Sequence, residues 1–272
     1  MIDKDKVLSD NINNHLFHLK KDVDRAFLVV LSDIHEGMNH REYFKEVIDF
    51  ILSIQNCYVI IGGDAINATT KGSKGNTTEE WASGDKQIYS LVEDLKPLVD
   101  ADRIVAIAED GNHADRIYNE TFISPNKMLA VLLGIPDKYT GNACLGMLDI
   151  GNVTYCISVV HKNRKTNNYY EYLRADVLVR EHWHDLKYES KVVYDWNKYN
   201  KSVSCKTTYD IYNGSFLNIP EYAKKQNYRP QTLGCYFILL DGKKRKILPF
   251  VDSDLKYLID NGVNYPTYRG GR

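Results

Sequence analysis

Residues 26–64 hold three consecutive signals: AFLVVLSD (26–33), REYFKEVIDFILSIQ (41–55) and CYVIIGGD (57–64). The first and third are short unbroken apolar runs, the pattern of strands covered on both faces. Between them Tyr43, Phe44, Val47, Ile48, Ile51 and Leu52 recur at helical spacing. Strand, helix, strand predicts a parallel βαβ unit, and with it an α/β chain.

The alternation continues outward from this unit. A loop rich in Gly, Ser and Thr, NATTKGSKGNTTEE (67–80), feeds a helix predicted over 79–95, and RIVAIAED (103–110) is the next strand. Ser124-Pro125 reads as the N-cap and first residue of a helix running to about Leu133. Further strands are predicted in VTYCISVVH (153–161), DVLVREHWH (176–184) and TYDIYNGSFL (208–217), and CYFILLDGKKRKILPF (235–250) reads as a hairpin turning on Asp241-Gly242. Residues 185–206, polar and aromatic around YDWNKYNKS, are expected to run over the surface as an insertion in a single domain spanning 1–272.

Composition narrows the classes. A chain of 272 residues, 43% hydrophobic and 26% charged, is long enough for a substantial core, and a formal charge of −1 gives no global attraction to nucleic acid or to an anionic membrane. The five cysteines, Cys57, Cys144, Cys156, Cys205 and Cys235, include no C-x-x-C pair, and an odd number cannot all be bridged within one chain. Reduced thiols, no segment of membrane-spanning length and a polar N-terminus lead to the expectation of a soluble, cytoplasmic protein. The Asn67-Ala-Thr69 sequon then has no meaning, and TKGSKGN (70–76) lacks the Gly-Lys-Ser/Thr ending of a phosphate-binding P-loop.

Five of the apolar runs end in residues able to hold a metal or a phosphate: SDIHEG, GGDAIN, EDGNHAD, VVHK and EHWHD. Ligand sites in open α/β sheets lie beyond the carboxyl ends of the strands, so these tips are expected to converge. The donors they carry, Asp33, His35, Asp64, Asn112, His161, His182 and His184, with His113 beside them, are oxygen and imidazole groups without thiolate. Such a set suits manganese, iron, zinc, nickel or cobalt. Taken singly each motif has a plainer account, Asp and Gly being common at turns and helix starts. Seven donors exceed the needs of one ion, whereas two ions about 3.5–4 Å apart sharing a carboxylate use them all.

The ordered series Asp33-x-His35, Gly63-Asp64, Gly111-Asn112-His113, His161 and His182-x-His184 resembles the calcineurin-like metallophosphoesterase superfamily. YNGSFL (212–217) stands where that family often has an Asn-Pro-Gly-Ser turn, so the resemblance spans roughly residues 26–250. It implies a four-layer α/β/β/α sandwich with two mixed sheets and two divalent metal ions, manganese foremost. Asp33, His35, Asp64 and His184 would hold one ion, and Asp64, Asn112, His161 and His182 the other. It further implies hydrolysis of a phosphoester by a hydroxide shared between the ions, with His113 facing the substrate to protonate the leaving oxygen or stabilise charge on phosphorus. The Asn-, Lys- and Tyr-rich composition suits a bacterial or phage member.

The chain departs from the family pattern at three positions. Glu181 replaces the usual Gly before His182, Val160 replaces a frequent Gly before His161, and Ala114 replaces the acidic residue after His113. Asp115, one position later, is the candidate to orient His113, and Arg116 is a candidate for a substrate phosphate. HKNRKTNNYYEYLR (161–174) interleaves cations with tyrosines, which suits a single-stranded nucleic-acid path as well as a solvated loop. A phosphodiester substrate such as DNA, RNA or a nucleotide is therefore expected. A phosphomonoesterase using the same metals is the alternative, and a degenerate binding scaffold is a more remote one because every ligand position is filled.

Overall fold

The computed structural model describes residues 16–70, 73, 77–108, 111–141, 144–161 and 174–263, together with Lys4 and Lys6. In chain order these form β1 (Leu16–Lys21), β2 (Arg25–Leu31), α1 (Arg41–Ser53), β3 (Cys57–Ile61), α2 (Gly84–Asp100) and β4 (Ile104–Ile107). There follow α3 (Ala114–Thr121), α4 (Pro125–Leu132), β5 (Cys144–Ile150), β6 (Val153–Val160), β7 (Val177–Arg180), β8 (Lys187–Asn197) and β9 (Ser202–Tyr212). The described chain closes with α5 (Glu221–Lys225), β10 (Tyr236–Asp241), β11 (Ile247–Val251) and α6 (Asp252–Asp260).

The strands make two mixed sheets, one ordered β11-β10-β2-β3-β4 and the other β1-β5-β6-β7-β9-β8. In the first, β2, β3 and β4 are parallel and β10 runs against both β2 and β11. In the second, β1 and β5 are parallel, as are β6, β7 and β9, while β5 opposes β6 and β8 opposes β9.

The side-chain period of two sorts the residues of β2 and β3 between two cores. Phe27, Val29, Leu31, Val59 and Ile61 face α1, α2 and α4, meeting Phe44, Leu91 and Leu129. Ala26, Leu28, Val30, Tyr58 and Ile60 face the other sheet, meeting Tyr155, Ile157, Val179 and Ile211. With both faces covered, every residue of β3 is buried, which is why its sequence is an apolar run rather than an alternation. Tyr155 crosses this inner core and donates its hydroxyl to the Asp241 carbonyl at 2.6 Å.

The α/β class with two mixed sheets is the one predicted, and several boundaries differ. Helix α2 starts at Gly84 rather than 79, because a short 3-10 turn, Thr77–Glu79, precedes it. Ser124 caps α4 as expected, its Oγ accepting the Lys127 N–H at 3.1 Å. The turn after β10 occupies Gly242–Lys246 and is organised by Asp241 Oδ1, which accepts the N–H groups of Lys243 and Lys244 at 2.9 Å. β1 and β5 carry no pattern strong enough to announce them. The largest difference is the expected surface excursion at 185–206: most of it is the ladder of β8 and β9, eleven continuous pairs from Lys187–Tyr212 to Asn197–Ser202.

Residues 162–173, which hold Lys162, Arg164, Lys165, Tyr169, Tyr170 and Tyr172, lie outside the described residues. The five cysteines are free thiols. No described helix is long and apolar enough to cross a membrane.

Candidate metal centre

The carboxyl ends of β2, β3 and β4 in one sheet meet those of β6 and β7 in the other, so the centre lies at the seam of two sheets rather than along one. The chain leaves these strands abruptly. Asp33, His35, Asp64, His182 and His184 all have φ between 49° and 76°, the left-handed region that non-glycine residues avoid. Each such residue costs on the order of 1–3 kcal/mol, and strain of this kind gathers where the surroundings enforce a functional geometry. Here the enforcement is visible: Asp33 N–H donates to the Gly63 carbonyl at 2.9 Å, His35 N–H to that of Asp64 at 3.0 Å, and Phe216 N–H to that of Asp33 at 3.0 Å.

His182 and His184 do not sit on a strand. β7 ends at Arg180, so the pleat does not align the two imidazoles as predicted; two left-handed residues separated by Trp183 bring them in. Trp183 is 45% exposed, its ring centroid 6.0 Å from that of His182.

The donor atoms fall into three overlapping groups, each within 4.8 Å: Asp33, His35 and His184; His35, Asp64 and His113; Asp64, His161 and His182. Asp64 belongs to two of these groups, and so does His35. His113, expected to stand aside, comes within ligating distance of His35 and Asp64, its ring centroid 4.6 Å from that of His35. Asn112 joins through Oδ1, 3.1 Å from His161 Nε2.

Hydrogen bonding fixes which lone pairs are free. The Asn67 amide donates through Nδ2 to Thr69 Oγ1 at 2.9 Å and to Glu80 Oε1 at 2.7 Å, so its Oδ1 is the atom facing His35 Nδ1 at 3.2 Å. That oxygen can only accept, so Nδ1 of His35 carries the proton and the buried Nε2, without a partner, presents a lone pair. His161 behaves alike: Nδ1 donates to Glu181 Oε2 at 3.0 Å, leaving Nε2 facing Asp64 Oδ2 and Asn112 Oδ1, each at 3.1 Å. The Asp64 contact lacks hydrogen-bond geometry, and Oδ2 is otherwise unpartnered, because Asp64 spends Oδ1 on the His113 N–H at 2.8 Å. Once the Nε2 proton is displaced, His161 Nε2, Asp64 Oδ2 and Asn112 Oδ1 are three buried acceptors facing one another, a set that suits a borderline divalent cation.

The charges agree. Burial raises the Asp64 carboxyl, but His161 outweighs it and holds the pKa well below the ordinary value. Asp33 is likewise raised by burial yet lowered by His184 and His161, to about 2. Burial lowers His161, but Asp64 and Asp33 prevail and push it well above an ordinary imidazole; for His184 burial lowers and Asp33 prevails. Burial, with neighbouring His113, pushes His35 well down, and burial also lowers His113 and His182.

Glu181, the departure from the Gly pattern, is buried beneath His161. Its Oε2 also accepts the Gly63 N–H at 2.9 Å, and a Cβ on Gly62 would stand 2.0 Å from Oε1, so the carboxylate occupies the space that Gly62 leaves. Gly111 is required in the same way, since a Cβ there would meet Asp64 Oδ1 at 2.1 Å. Asp115 does not orient His113; the Asn67 carbonyl does, accepting from Nδ1 at 2.6 Å. The Asp115 carboxyl is raised by burial and by Asp64. Arg116 donates from Nη1 to Ser73 Oγ at 3.0 Å. Asn67 is the functional residue that sequence reasoning missed: it closes the quoted GGDAIN motif, where only its place at a strand tip marked it. The Asn213-Gly214-Ser215 turn is structural, Asn213 donating to the Val30 carbonyl at 2.8 Å and to Ser32 Oγ at 3.0 Å.

No protein-family model matches the chain, and no curated protein does. Among solved structures the chain is similar to an archaeal phosphodiesterase at 13% identity, covering 83% of this chain and 99% of that one, with a TM-score of 0.39. A hypothetical protein from Pyrococcus horikoshii OT3 aligns at 10% identity over 91% and 99%, TM-score 0.42. A serine/threonine phosphatase from Saccharomyces cerevisiae, with similarity to human phosphatase PP5, aligns at 10% over 90% and 89%, TM-score 0.40. At such identities and scores these likenesses decide neither fold nor chemistry, which rest on the geometry above.

Proposed function

We propose that the chain is a metal-dependent phosphoester hydrolase that binds two divalent cations and acts on a phosphodiester. The observation that carries this reading is the convergence of seven donors on unpartnered, buried lone pairs at His35 Nε2 and Asp64 Oδ2. Asp33, His35, Asp64 and His184 are the proposed holders of one cation, and Asp64, Asn112, His161 and His182 of the other. Cations held there supply Lewis-acid activation of water and a clamp on the phosphoryl oxygens.

The remaining work belongs to the chain's own groups. His113, anchored at Nδ1 by the Asn67 carbonyl, has only Nε2 to offer a substrate, and at that atom it is proposed to hold or deliver a proton to the leaving oxygen. Arg116, one turn further along α3, is proposed to bind a phosphate oxygen. The exposed Trp183 ring beside His182 supports a diester with a nucleobase, because an indole face stacks on bases irrespective of their sequence.

The test is hydrolysis of a chromogenic phosphodiester and of its monoester with manganese, alongside metal content per chain. Turnover favouring the diester is expected, and Asp64→Asn is expected to lose both turnover and most of the bound metal. A strong monoester preference removes the diester; a fully loaded, active Asp64→Asn removes the shared carboxylate.

A further inference from the structure

Among the described residues the two sheets expose four edges, and three are protected in ordinary ways. β4 has four residues, β1 has six, and β11 has five with Pro249 among them. Short strands and proline are the usual devices against pairing with another chain. β8, the remaining edge, has eleven residues, no Pro or Gly, and a ladder to β9 without a register shift. Beyond Thr208 towards its tip the β8–β9 ladder has no third strand among the described residues, since β7 pairs with β9 over Tyr209–Tyr212. A two-stranded ribbon is marginal in water on its own. Yet this one displays Val192, Tyr194 and Trp196 at 57%, 64% and 83% exposure on one face.

The charges on β8 identify what covers it. All of them, Lys187, Glu189, Lys191 and Asp195, occupy odd positions and therefore share the other face. A second copy paired antiparallel about a two-fold axis normal to the sheet keeps each residue on its own face, so only registers centred on a residue are allowed. Centring on Val192 sets Glu189 against Asp195, and centring on Lys191 sets Lys191 against itself. Centring on Val193 sets Lys191 against Asp195 of the second copy, twice, and lays Val192 across from Tyr194 of the second copy on the apolar face. Within one molecule Lys191, itself exposed, lies 3.9 Å from Glu189 and 3.7 Å from the buried Asp210, and Asp195 meets the exposed Arg174, which also donates to the Tyr194 carbonyl at 3.4 Å. Such pairs weigh little against an interface.

We propose that two copies of this chain associate along β8 in the register centred on Val193, joining their six-stranded sheets into one. Sedimentation equilibrium of the full, metal-loaded chain across the micromolar range tests this. A mass of twice 31.3 kDa is expected. Lys191→Asp sets Asp against Asp, and Asp195→Lys sets Lys against Lys; each is expected to raise the dimer dissociation constant about 100-fold or more. The double variant K191D/D195K is expected to restore the dimer, and an equal mixture of the two single variants to form a heterodimer. That rescue separates lost complementarity from misfolding. A monomeric wild type, a dimer indifferent to either reversal, or failure of both the double variant and the mixture to associate overturns the proposal.

Discussion

Glu181 shows how one residue can be foreign to a motif and still serve the centre built on it. Where the related pattern has Gly, a carboxylate reaches under His161, accepts the Nδ1–H at 3.0 Å and leaves Nε2 as the atom facing Asp64 and Asn112. Partners of this kind set the tautomer and basicity of a ligand histidine. Glu181→Gln keeps the volume and an oxygen for the Gly63 N–H, but replaces the carboxyl group beneath His161 Nδ1 with an amide, a weaker acceptor. The expected result is a fall in manganese affinity of about 10–100-fold with the fold intact, read by isothermal titration and circular dichroism. Unchanged affinity would remove Glu181 from the support of the centre.

Among the elements, β6, β9 and the β10–β11 turn are tied at one residue. Asp176, just before β7, accepts the Cys156 N–H at 2.8 Å, Arg245 Nη2 at 2.9 Å and Lys206 Nζ at 3.0 Å. Burial raises its carboxyl, but these hydrogen bonds more than offset burial and the pKa is lowered. A lowered folded pKa means stability fully present above the unfolded value near about 3.9 and lost as pH falls through the folded value. Asp176→Asn is therefore expected to cost about 1–3 kcal/mol at neutral pH, with the deficit shrinking below about pH 4. Urea melts at neutral and acid pH measure it, and a deficit that does not depend on pH would show that the charge contributes nothing.

For the molecule as a whole, the centre joins the two sheets, so cations bound there hold the folded chain together and have no comparable site in the unfolded one. Manganese at about 100 times its dissociation constant would add about 2.7 kcal/mol, or a rise in Tm of about 5–10 °C in a chain of this size. Thermal melts with manganese and with a chelator measure this. A Tm indifferent to metal would mean that the seam is fully formed without it.

The sequence by itself determined the α/β class, the βαβ unit at 26–64, the capped helix after Ser124 and the ordered donors at the strand tips. Each is a local property: periodicity, caps and turn residues act within a few positions of the chain. Tertiary structure alone decided that the strands divide into two sheets, that His182 and His184 turn inward through left-handed backbone after β7, and that Asn67 rather than Asp115 anchors His113. It also decided that the polar stretch after His184 is an edge strand, because its alternation of aromatic and charged residues is exposed on both faces and is outweighed by the polarity of the segment as a whole. Contacts between residues far apart in the chain leave no period in either segment, and only packing can reveal them.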